Sequence, residues 1–79
     1  MRKSVHTRAY QVLRERLVAA RHAAGLTQQE LAKKLGRRQS FVAKYELGER
    51  RIDLVELLEI AAVLNTDARR IVRAVADAV

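Results

Sequence analysis

The sequence predicts an all-α protein, a compact domain of five helices, and three observations predict it. No proline occurs in its 79 residues. The three glycines, Gly25, Gly36 and Gly48, all fall where helical patterning stops, as glycine does when it ends a helix. Between these stops, apolar residues recur at three- and four-residue spacing, the period of a helix with one buried face.

The elements follow in order. Over 7–24, Tyr10, Leu13, Leu17, Ala20 and Ala24 share one face, and Gly25 ends the helix. Thr27 then stands three residues before Glu30, the spacing at which the two side chains satisfy each other's free amides as a capping box. Leu31, Ala32 and Leu35 point inward in this second helix, which Gly36 closes after little more than two turns. The third helix spans 38–47, with Val42 and Tyr45 inward and Gly48 as its stop. Asp53 and Glu56 repeat the capping logic for a fourth helix over 54–64, whose Leu54, Leu57, Leu58, Ala61 and Leu64 are expected to form a broad inner face. Asn65 can adopt the left-handed turn at its end. Asp67 starts a fifth helix that continues to the C-terminus. Residues 1–6 read as a loose basic arm and 7–79 as one domain, without repeat, low-complexity tract or linker.

Composition narrows the function. A chain this short buries only about 60% of the surface that it exposes when unfolded, so modest stability is expected. The absence of cysteine excludes disulfides and thiolate metal sites and suits a reducing cytoplasm. The longest apolar run, IAAVL at 60–64, is far too short to cross a bilayer. The basic start has no apolar stretch behind it and is not a secretory signal. Sixteen Lys and Arg against nine Asp and Glu leave a net charge of +7, and twelve of the cations are arginine. Such an excess favours an anionic partner, nucleic acid first and an acidic membrane surface second. A solvated basic surface without a partner is the plain alternative.

Helices two and three are joined by two or three residues that include a glycine. So short a joint makes them cross steeply, as in a helix-turn-helix. One side of helix three is then unused by the core: Gln39, Ser40, Ala43, Lys44 and Leu47 lie opposite Val42 and Tyr45 on the helical wheel. Amides pair with adenine, lysine with guanine and serine with either, so such a face can enter a major groove. Arg37 and Arg38 crowd the turn, beside a helix N-terminus and well placed for phosphate oxygens. Arg50 and Arg51 follow helix three directly and are expected to face a duplex backbone.

The segment GLTQQELAKKLGRRQSFVAKYELGERRIDLVELLEIAAVL resembles the DNA-binding domain of the lambda-repressor and Cro-like family, the XRE-type helix-turn-helix, over residues 17 to about 71. The likeness rests on GLTQ opening helix two, ELA within it, the glycine that closes it, and the E-x-G ending of helix three. The resemblance implies five helices and binding to double-stranded DNA, usually as a homodimer on a palindromic site. It places Gln28 and Gln29 at the start of helix two, with Gln28 touching a phosphate and buttressing helix three. Gln39, Ser40 and Lys44, with Ala43 between them, fall where family members read base edges. Glu46 matches the acid that pairs with an arginine late in helix one, here Arg21. The chain departs from the family pattern at three points. Arg37 and Arg38 replace a small apolar residue and a Ser or Thr, which removes a good N-cap from helix three at a cost of about 1 kcal/mol. Leu47 replaces a common polar residue and with it a phosphate contact. Ile52 stands where proline is frequent, so a less rigid loop is expected.

Plainer readings stand beside these. Gln28, Gln39 and Ser40 also suit ordinary helix starts, and Lys44 a solvated helix surface. Phe41 either packs under the turn or reaches a thymine methyl. His6 and His22 lie apart from each other and from any acidic cluster, so no metal is expected. Glu56 and Glu59 read as a solvated face rather than a catalytic dyad. No nucleophile sits beside a base and no glycine loop cradles a phosphate, so neither an enzyme nor a cofactor is expected. The stripe Ile71, Val75 and Val79 of helix five suits a dimer contact, although some of this surface must cover helix one within the same chain. The same basic, amphipathic helix also suits a membrane-surface or protein-interaction module. The expected function is a cytoplasmic transcriptional repressor with no small-molecule ligand and no effector domain. An antitoxin or a restriction-modification controller of the same fold is the alternative.

Overall fold

The computed structural model describes residues 7–79, so the expected basic arm at 1–6, with His6, lies outside the described residues. Five helices follow one another, with no strand among the described residues: α1 Arg8–Ala23, α2 Gln28–Leu35, α3 Gln39–Leu47, α4 Leu54–Val63 and α5 Ala68–Asp77. Local chemistry sets each boundary. The Thr7 hydroxyl accepts from the Tyr10 amide at 3.2 Å and starts α1. Thr27 with Glu30, and Asp53 with Glu56, close complete capping boxes at α2 and α4. Asp67 caps α5 by accepting from the Arg69 amide at 2.9 Å. Gly36 ends α2 at φ 69°, a left-handed conformation in which an L side chain is strained. Asn65 takes the same region after α4 at φ 54°.

Helix α3 is the exception. Arg38 holds an extended N-cap conformation, but its side chain makes no capping bond. Only the following backbone turn, in which the Phe41 amide donates to the Arg38 carbonyl at 3.0 Å, closes that end.

All five helices contribute to one core: Leu13 and Leu17 from α1, Leu31 from α2, Phe41, Val42 and Tyr45 from α3, Leu57 and Ile60 from α4, and Ile71 from α5, with Leu64 just past α4. Helix α5 lies along α1, α3 packs on both α2 and α1, and α4 braces α2 and α5. Tyr45 is fully buried, and burial pushes its phenol pKa up.

Two expectations are corrected. The inner face of α4 is Leu57, Ile60 and Ala61 with Glu56, whereas Leu54 and Leu58 are 65% and 49% exposed. The helix LVELLEIAAV is apolar almost all round, so periodicity alone does not select its inner stripe. The loop before α4 is also tied down rather than loose. The Ile52 amide donates to the Tyr10 hydroxyl, a bond that proline could not make, and the Ile52 side chain packs against the core.

The uncapped start of α3 makes a direct prediction. Arg38→Ser should raise stability by about 0.5–1 kcal/mol, because a serine in that conformation satisfies a free amide. Urea denaturation that shows no gain would mean that those amides are already satisfied in another way.

Candidate nucleic-acid interface

Two carboxylates organise the surface around α3. The first is Glu46, near the C-terminal end of the helix. Arg21 Nε donates to its Oε2 at 2.8 Å, and Arg21 Nη2 donates to its Oε1 at 3.0 Å. Gln28 Nε2 also donates to Oε1, at 2.8 Å. Arg21 Nη1 reaches the Leu26 carbonyl at 2.9 Å, so the guanidinium also fixes the turn between α1 and α2. The Arg21 and Glu46 side chains are 11% and 6% exposed. The hydrogen bonds to Glu46 raise the Arg21 pKa against the opposing effect of burial. Removing one partner would strand the other as a buried charge, at a cost of about 3–5 kcal/mol. Gln28 spends its amide here, within the protein, while Gln29 beside it is exposed.

A second cation of α1 seals the same end of α3. Arg14 Nη1 donates to the Glu46 carbonyl at 3.4 Å. Its guanidinium covers Gly48 so closely that a Cβ there would lie 3.1 Å from Arg14 Cζ. Gly48 also holds φ 79°, a backbone conformation that favours glycine, and any side chain there would have to displace the Arg14 guanidinium.

The second carboxylate is Glu56, and here the structure departs from the sequence reading. Glu56 is buried, not part of a solvated face, although Glu59 is exposed. Its Oε1 accepts from the Asp53 amide at 3.0 Å and from Arg50 Nη1 at 2.9 Å. Its Oε2 accepts from Arg50 Nη2 and from Arg37 Nη2, both at 2.9 Å. Both guanidiniums also lie against the Phe41 ring, with Cζ atoms 4.4 Å and 4.7 Å from its centroid. Phe41 is buried and meets Tyr45 edge-on at 5.4 Å, so of the two readings it takes the packed one. Arg37 and Arg50 are therefore not free surface cations. Each shares its charge with Glu56 while staying partly open to solvent.

The hydrogen bond from Arg50 first, then those from the Asp53 amide and Arg37, hold the Glu56 carboxyl down at about 2 against the effect of burial. The sequence signal was half legible. The Asp53-x-x-Glu56 spacing marks a capping box, but it leaves oxygen lone pairs free. Glu56 also precedes Ile60 by one helical turn, on the buried side.

The outward side of α3 carries the remaining candidates. Gln39, Ser40 and Lys44 are exposed and Ala43 is half-buried, on the side away from Val42 and Tyr45. Leu47 continues this side at 68% exposure. Arg38 and Arg51 are exposed at the two ends of α3. A shallow cleft brings Arg37, Arg38, Ser40, Lys44 and Arg50 together over Phe41, with Glu49 as the acid on its rim. Among the described residues no three His, Cys, Asp or Glu side chains gather as metal ligands, and no helix is long and apolar enough to cross a membrane.

Helix five is divided. Ile71 belongs to the chain's own core at 4% exposure and Val75 packs against it, so this part of the expected dimer stripe is covered from within. Val79 is 96% exposed and Val72 46%. With Leu54, Val55 and Leu58 of α4, these are, among the described residues, the large apolar side chains left in solvent away from α3.

Residues 17–71 match the profile of the helix-turn-helix family. Among solved structures, an XRE-family like protein from Pseudomonas syringae pv. tomato is similar at 43% identity and TM-score 0.81, over 87% of this chain and 84% of that one. The restriction-modification controller protein C.AhdI from Aeromonas hydrophila is similar at 32% identity and TM-score 0.72, over 84% of this chain and 99% of that one. The clp gene regulator ClgR from C. glutamicum shares the fold at TM-score 0.77 and 18% identity, over 89% of this chain and 90% of that one. No curated protein matches the chain.

Glu56 makes a prediction about acid. Its folded pKa lies below the ordinary 4.5, so its contribution is complete above about pH 5 and is lost as pH falls towards about 2. At about 1.4 kcal/mol per pKa unit this amounts to at most about 3.5 kcal/mol. Urea titrations at stepwise lower pH should show wild type losing stability through that window, with Glu56→Gln lower at neutral pH and flatter across it. Parallel curves for the two proteins would contradict the assignment.

Proposed function

The chain belongs to the XRE-type helix-turn-helix family of DNA-binding transcription regulators, and on that premise we propose that it is a cytoplasmic repressor that reads a palindromic operator as a homodimer. One observation carries the reading. The outward side of α3 presents Gln39, Ser40 and Lys44, none of which makes a side-chain hydrogen bond within the described residues, between exposed cations at both ends. In this reading Gln39, Ser40 and Lys44 meet base edges in the major groove and Ala43 lets the helix approach closely. Arg38, Arg51 and Gln29 meet the phosphate backbone, while Gln28 acts by bracing Glu46.

The dimer reading moves with the packing. Because Ile71 and Val75 serve the core, the contact is assigned to Leu54, Val55 and Leu58 of α4 together with Val72 and Val79 of α5. Two copies about a two-fold axis would set their α3 helices about 34–36 Å apart, one turn of DNA. A single module of this size makes too few base contacts to stand out among genomic sites.

A second reading, as a restriction-modification controller, is favoured by the likeness to C.AhdI at 32% identity over 99% of that chain. The genes beside this one decide it: a neighbouring endonuclease and methyltransferase pair supports the controller, and their absence removes it.

Base reading is tested after duplexes have been selected from a random pool. Gln39→Ala and Lys44→Ala should each weaken the selected site by about 1–3 kcal/mol and relax one position of it. Arg51→Ala should weaken selected and random duplexes alike and flatten the salt dependence. Equal losses for Gln39→Ala on both kinds of DNA would overturn the division of roles.

Dimerisation has its own test. Leu58→Glu should turn a dimer into a monomer in sedimentation equilibrium at micromolar protein, and lower affinity for the selected site while helical content is kept. A wild type that is monomeric both free and on DNA would remove the dimer.

A further inference from the structure

Glu56 is buried at the N-terminal turn of α4, yet both of the guanidiniums that it holds remain partly open, at 40% exposure for the Arg37 side chain and 37% for Arg50. The two arginines come from opposite ends of α3, one from the turn before it and one from the loop after it. They converge on a single oxygen, Glu56 Oε2, at 2.9 Å each, and lie against one aromatic ring. Long cationic side chains on a surface ordinarily sample many rotamers, and ordering each on binding carries an entropic cost. Here the carboxylate and the ring have already ordered both. Nη2 of Arg37 is committed to Glu56, while its Nε and Nη1 make no hydrogen bond within the described residues. The cleft beside the pair adds Arg38, Ser40 and Lys44. Two arginines on one acid still leave a positive site, and its donors are fixed before any ligand arrives.

We propose that Glu56 is a positioning residue for DNA binding, holding Arg37 and Arg50 over Phe41 so that one phosphodiester of the duplex backbone seats against a preset pair of guanidiniums in the Arg38–Ser40–Lys44 cleft. The inference rests on the DNA-binding reading above and adds to it a residue that touches no DNA. Its signature is opposite to that of simple charge. Glu56→Gln removes a negative charge from a DNA-binding surface, so long-range attraction alone would tighten binding and steepen its salt dependence. Positioning requires the reverse. Glutamine can still accept from the Asp53 amide and complete the capping box, but it gives up the charge that holds the arginines.

The experiment is fluorescence anisotropy with a labelled random-sequence duplex over a series of salt concentrations, well below the melting temperature, with circular dichroism to confirm folding. Glu56→Gln should bind at least fivefold more weakly than wild type at low salt, with a shallower dependence of log K on log salt. Arg37→Lys keeps the charge on an exposed side chain but loses the planar group that bonds Glu56 and stacks on Phe41. It should weaken binding in the same direction, and it decides the matter if Glu56→Gln does not fold. Affinity equal to or above wild type in the folded variants would overturn the positioning role and leave the DNA-binding reading intact. A wild type that binds no duplex at any salt would overturn both.

Discussion

The Glu46 carboxylate is the point on which the arrangement of the first three helices depends. It lies on α3 and accepts from Arg21 of α1 and Gln28 of α2, while the Arg21 guanidinium also holds the turn that joins those two helices. A three-residue joint sets the crossing of α2 and α3 only loosely, because small changes at Gly36 or Arg37 would swing α3 through a wide arc. The network removes that freedom at the far end of the helix. Apolar packing of Val42 and Tyr45 supplies the driving force for docking α3, but it is non-directional. Bidentate hydrogen bonds to a buried carboxylate add direction.

A second carboxylate does the corresponding work at the other side of the motif. Glu56 joins the turn before α3 to the loop after it through two arginines, and Phe41 provides the surface on which they lie. The loop is held again by the Ile52 amide on the Tyr10 hydroxyl. The absent N-cap of α3 therefore does not leave the helix loose, since its neighbours on both sides are anchored.

Much of this was legible in the chain. Gly25, Gly36 and Gly48, the Thr27–Glu30 and Asp53–Glu56 boxes and the missing cap at Arg38 are local signals, and local signals survive folding. The outward side of α3 was legible for the same reason, because Val42 and Tyr45 leave the helix only one way to turn. What was not legible was non-local or degenerate. Helix α4 has apolar residues on nearly every side, so Leu54 and Leu58 were placed inward in error. Ile71 and Val75 form a stripe on the wheel, but whether a stripe meets a partner or its own core depends on how α5 lies along α1. That Arg37 and Arg50 share Glu56 was not legible, because the pairing joins residues on both sides of α3 and Glu56 had already been assigned to a cap.

Four side chains on the outward side of α3, Gln39, Ser40, Ala43 and Lys44, take no part in either network. Gln39, Ser40 and Lys44 are exposed without a hydrogen bond to the rest of the described residues, and Ala43 is half-buried. Substitutions at such sites usually change stability by within about 0.5 kcal/mol. The scaffold and the surface that it displays can therefore evolve separately. A gene duplicate could pass through many combinations at these positions without ever losing its fold, and so reach a new target sequence by steps that selection on stability would not see.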